Sequence, residues 1–243
     1  MGQIAARCFP GFSSTYANPL TDRLERRAAA VEASYRNSYL QFLLGAATLH
    51  DGIDAALADD AERAADRVSD GLSQLCAANG HLTALGDSLV RLRADLFEDP
   101  GVDSCEPLLA REPLFACLDY DGIYLELADA GAALPHRAFW DEVATRLRAG
   151  GARGGFRLLE RHVRELQSDL HGLIAQVECG AELPGRALGE ALHATALPVA
   201  RVVTSYTRLV TTFGYVSICC ERAMRAYEQA RLSPATGVVL AAS

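Results

Sequence analysis

A chain of 243 residues, half of them hydrophobic, is long enough to bury a core of its own. Its formal charge of −8 argues against nucleic acid as a partner, since an acidic surface is repelled by a phosphate backbone. All 23 basic residues are arginine, which excludes chemistries that need lysine: the phosphate-loop lysine, the kinase ATP lysine, and a Schiff base to pyridoxal or a carbonyl substrate.

The chain opens MGQIAARCFPGF. Removal of Met1 exposes Gly2, the residue type whose amine accepts myristate, and Cys8 can take a thioester-linked chain once the first lipid has reached a bilayer. Position 6 is Ala where Ser or Thr is preferred, so the match is relaxed. One myristoyl chain binds a bilayer at only about 10⁴ M⁻¹ and two hold stably, so both sites are needed. Phe9 and Phe12 add apolar contact, and Arg7 meets anionic headgroups. Residues 1–17 are therefore read as a flexible, acylated segment. No sustained apolar run marks an export signal. The seven cysteines, with no CxxC spacing, read as reduced thiols and give no zinc site.

From residue 18 to 231 apolar residues recur at alternating steps of three and four, and the strand period of two is absent. The first stripe runs from Leu20 through Val31, Tyr35, Phe42 and Leu49 to Ile53, behind an Asn18-Pro19 start signal. The second runs from Val68 to Leu96 and stops before Asp99-Pro100. Residues 99–155 carry four prolines and a set of aromatics, and read as short helices packed on the bundle, the best of them at FWDEVATRLRAG. GGARGG then acts as a hinge, not a phosphate loop, since it has neither the lysine nor a preceding strand. The third stripe runs from Phe156 to Val177, and the fourth from near Pro198 to Tyr227, carrying the vicinal Cys219 and Cys220. Residues 232–243 read as a disordered tail. The expected fold is all-α: an elongated bundle of about four long helices with coiled-coil-like packing and a short-helix insertion.

Several motifs point to chemistry and are outweighed. Gly86-Asp87-Ser88-Leu89 matches the tetrad of a serine esterase family, but it lies inside the second stripe and no DxxH accompanies it. His162, Glu165 and Asp169 share one helical flank, and with Leu, Val and Ile at the inward positions they read as a solvated flank. His50 and Asp54, one turn apart, read as a surface pair. The most apolar stretch, from Leu197 to Cys220, carries Arg201 and Arg208 within it and cannot span a membrane cheaply. Residues 51–99 hold eleven acids against four arginines, and 201–231 five arginines against two acids. Arg201, Arg208 and Arg222 fall at multiples of seven, a row able to meet anionic lipid or an acidic partner. The simpler expectation is that the acidic second helix faces the basic fourth.

No catalytic residue, cofactor or metal is expected. The leading expectation is a non-enzymatic adaptor or scaffold, peripheral on the cytosolic face of a membrane, anchored at Gly2 and Cys8 and binding protein partners through its helical faces. Long amphipathic bundles often self-associate, so a homodimer fits. The alternatives are a soluble regulatory interaction module with no anchor, and an enzyme built on the scaffold, which calls for a polar pocket with inward histidine or carboxylate groups. The layout is similar to membrane-shaping helical families, which however present strongly basic faces. It is also similar to a small acylated viral matrix-like or tegument-like protein.

Overall fold

The computed structural model describes residues 19–97, 115–129 and 137–232, and every regular element among them is an α-helix. In chain order these are α1 (Pro19–Leu57), α2 (Ala61–Phe97), α3 (Tyr120–Asp129), α4 (Arg137–Ala181), α5 (Gly185–His193) and α6 (Ala196–Leu232). The all-α helical bundle expected from the apolar spacing is what forms. The proline of the start signal is the first helical residue of α1, where its missing N–H costs nothing. The described residues divide into two compact units, one from residues 19–92 and 159–210, the other from residues 93–97, 115–129, 137–158 and 211–232.

In the first unit α1, α2, the later part of α4 and the early part of α6 form an antiparallel four-helix arrangement. Partner numbers fall on one helix as they rise on the next: Thr48 bonds Gln74, and Ser38 bonds the Ala78 carbonyl. Asn79 likewise meets His171 and Thr83 meets Gln167, while Asp169 meets Ser205 and Glu165 meets Arg208. Tyr206 on α6 closes the circle against Tyr35, Tyr39 and Phe42 on α1.

The α1–α2 reversal takes three residues. Asp59 adopts a left-handed φ of 60°, and the Asp60 carboxylate accepts the Arg63 N–H at 3.2 Å, capping α2. Just beyond the turn the two helices approach closely. A Cβ on Gly71 would stand 2.8 Å from Leu49, and one on Gly45 would stand 3.1 Å from the Gly71 carbonyl. α5 lies over the end of α1, with Gly189 against Ala56 and Leu57.

The core of this unit is the predicted stripe: Val31, Phe42 and Leu49 from α1, Leu75, Leu82 and Leu89 from α2, Leu166 and Leu170 from α4, and Val202 and Leu209 from α6. Tyr206 and Ser38 bring polar atoms into this core. The Tyr206 hydroxyl donates to Ser38 Oγ at 2.5 Å, and Ser38 donates to the Ala78 carbonyl at 2.8 Å. This relay joins three helices through buried groups that are all satisfied.

The second unit is organised by aromatic rings. Trp140 on α4 stands edge-on to Tyr215 on α6 at 4.8 Å, with Tyr120 and Tyr124 of α3 at 6.1 and 5.9 Å. Arg148 lies over the Tyr120 ring and Arg137 over Tyr124, each at 4.5 Å. The hinge expected at GGARGG is a sharp kink: Gly150 has φ −147° and ψ 18°, and Gly151 has φ 53° and ψ −153°. The helix does not wait until Phe156 to resume. A Cβ on Gly154 would stand 2.2 Å from the Arg146 carbonyl, so the chain turns back into helix against its own preceding turn.

Candidate functional site

Two groups of residues were expected to carry function, and they fare differently. Gly2, Arg7, Cys8, Phe9 and Phe12 lie outside the described residues. Of the arginine row, Arg201 and Arg222 are exposed, Arg222 with Glu126 of α3 as its partner, and Arg208 is part-buried with Nη1 3.4 Å from Glu165 on α4. Where acidic α2 was expected to meet basic α6, the carboxylates paired with Arg208 and Arg222 belong to α4 and α3. In the four-helix unit α6 meets α4 across its ion pair, so its arginine is matched by the α4 carboxylate there.

The reading of His162, Glu165 and Asp169 as a solvated flank is also corrected. The His162 side chain is 1% exposed. Its Nδ1 lies 3.0 Å from Glu165 Oε2, the same oxygen that accepts from Arg208, and Arg161 Nε stands 3.6 Å from the other carboxylate oxygen. One turn on, Ser205 donates to Asp169 at 2.6 Å. The physical reason is that α4 faces α6 along this flank, so a position that periodicity assigns to the edge becomes an interhelical seam. His162 is thus the inward histidine that the enzyme reading asked for. It is engaged by Glu165, whose carboxylate also pairs with Arg208, so the arrangement fastens α4 to α6.

Other features bear on chemistry more simply. Ser88 sits inside α2, so it has none of the exposure on a sharp turn that an esterase nucleophile needs. His50 and Asp54 are both exposed on α1. Cys219 and Cys220 are buried on α6, and burial pushes the Cys220 thiol up to about 12, far from a reactive thiolate. An open depression at the start of α2 is lined by the four acids Asp60, Glu62, Asp66 and Asp70 with the two arginines Arg63 and Arg67. Among the described residues no helix is long and apolar enough to cross a membrane, and no group of three His, Cys, Asp or Glu is placed to hold a metal ion.

The surface feature that the sequence reading missed is on α1. Leu40, Leu43 and Leu44 point away from the core, 52%, 40% and 44% exposed, with exposed Ala33 and Ala47 on the same outward side. The signal was present. In YLQFLLGAA only Phe42 belongs to the inward stripe, so the three leucines were surplus to the core. Exposed leucines are ordinary when scattered; three within a turn and a half form a patch. Comparison of the chain with protein-family models, curated proteins and solved structures finds no match.

Proposed function

We propose that this protein is a non-enzymatic adaptor at the cytosolic face of a membrane. Acyl chains on Gly2 and Cys8 hold it there, and outward helical faces bind protein partners. The observation that carries the binding half is the leucine patch on α1. A helix already packed on α2, α5 and α6 has no need of leucines on its far side, and leaving them in water costs solubility. The polar groups between helices, by contrast, are spent on joining them: buried Tyr206 with Ser38, and part-buried Arg208 with Glu165 and Ser205 with Asp169.

The anchoring half rests on the residue types at positions 2 and 8 and on the weakness of a single acyl chain. Its test is labelling with a myristate analogue in eukaryotic cells, followed by fractionation. Label is expected on the wild type and not on Gly2→Ala, and Cys8→Ser is expected to move most of the protein from the membrane to the soluble fraction. A wild-type chain that takes no label refutes the anchor. The leucine patch needs no lipid, so an unanchored interaction module is the second reading, and it gains from that result.

A further inference from the structure

We infer that the α1 patch is a self-complementary surface that pairs with α1 of a second copy, the two helices running antiparallel. The inference names the partner of the interaction face proposed above and rests on that reading. Its basis is the order of residues along the outward side of α1. Taking the midpoint between Leu43 and Leu44 as a centre, Leu40 and Ala47 are equally distant on either side, and so are Arg36 and Asp51. All six are exposed on α1. At ~1.5 Å per residue, Arg36 and Asp51 each stand about 11 Å from the centre along the helix.

A two-fold axis through that centre therefore lays leucine on leucine, Leu40 on Ala47, and Arg36 of each copy beside Asp51 of the other. This is the isologous arrangement expected of a homodimer. A parallel pairing in the same register places Arg36 on Arg36 and Asp51 on Asp51, so charge decides the direction. Arg36 already pairs with Glu32 on its own helix, yet its side chain keeps 67% of its exposure. It can therefore reach a carboxylate on a facing helix. The contact is a helix pair, at the small end of stable interfaces, so the expected association is weak and concentration-dependent.

The test uses the full chain carrying Gly2→Ala and Cys8→Ser, so that lipid cannot drive association, and reads mass by sedimentation equilibrium. A monomer–dimer equilibrium is expected. Leu40→Glu with Leu44→Glu should abolish the dimer while circular dichroism stays unchanged; both sites are exposed, and Leu44→Ala provides a milder variant that should weaken it. Arg36→Asp alone and Asp51→Arg alone should each weaken pairing by about five- to tenfold, since each change disturbs two symmetry-related pairs. Together they should restore it. A protein that is monomeric at every concentration, a dimer indifferent to the leucine variants, or single reversals that the double variant fails to rescue each overturns the inference. None of these outcomes depends on acylation, so the dimer and the anchor fail separately.

Discussion

Ser38 and Tyr206 show how much of this fold hangs on single polar atoms. Both are buried, on α1 and α6, and the Tyr206 hydroxyl has Ser38 as its acceptor while Ser38 keeps the Ala78 carbonyl. Ser38→Ala strands the phenol in the core and should cost about 1–3 kcal/mol. Tyr206→Phe leaves Ser38 satisfied and should cost less, about 1 kcal/mol. Urea unfolding of the two variants checks the order, and an equal or reversed cost contradicts the relay. Tyr206 was legible in the sequence as a member of the fourth stripe. Ser38 was not, because a small polar residue on an apolar flank carries no sign of a partner 168 positions away. His162 was misplaced for the same reason: its burial is imposed by α6, which its own helix does not encode.

At the scale of elements, glycine placement decides geometry that hydrophobic period leaves open. The apolar repeats predicted the long helices but not all their starts: α2 begins at Ala61, seven residues ahead of Val68, while α6 begins at Ala196, two residues before Pro198. They could not tell whether GGARGG separates two helices or bends one. Gly151 answers this, since its φ of 53° with ψ of −153° is a conformation that side-chain-bearing residues rarely adopt. Gly150 lies at negative φ, with nothing within 4 Å of a built Cβ. Gly151→Ala should therefore destabilise by about 1–3 kcal/mol, and Gly150→Ala far less. Thermal unfolding of the pair tests this, and equal shifts in Tm refute the assignment of the kink to Gly151. The pairing of Arg208 with Glu165 and of Arg222 with Glu126 belongs to this scale too. Local charge density had marked α2 and α6 as opposites, but a carboxylate acts over a few ångströms, and the helix that stands opposite is a matter of topology.

For the molecule as a whole, both units bury groups that ionise at alkaline pH. Burial raises the Tyr206 hydroxyl in one unit and the Tyr120 hydroxyl and Cys219 thiol in the other, and it pushes Tyr215 and Cys220 up to about 12. In the unfolded chain such thiols and phenols ionise near 9.0 and 10.0. Above those values the unfolded state has lost protons that the folded state still holds, so stability must fall as pH rises. Below 9.0 both states are protonated at these groups and the contribution is constant. The urea midpoint should be lower at pH 10.5 than at pH 7.5, and an unchanged midpoint contradicts the burial of these groups.

The sequence by itself determined the all-α class, the presence of the long helices, the break at the double glycine and most of the core, because each follows from a period or a backbone constraint local to one element. It also contained the leucines at 40, 43 and 44 as an excess over what the inward stripe of α1 uses. Only the tertiary structure decided that this excess faces outward, that His162 faces inward, and which carboxylate meets which arginine. Those outcomes depend on which helices become neighbours. That choice is made by the sum of many weak contacts between residues far apart in the chain, and no single segment records it.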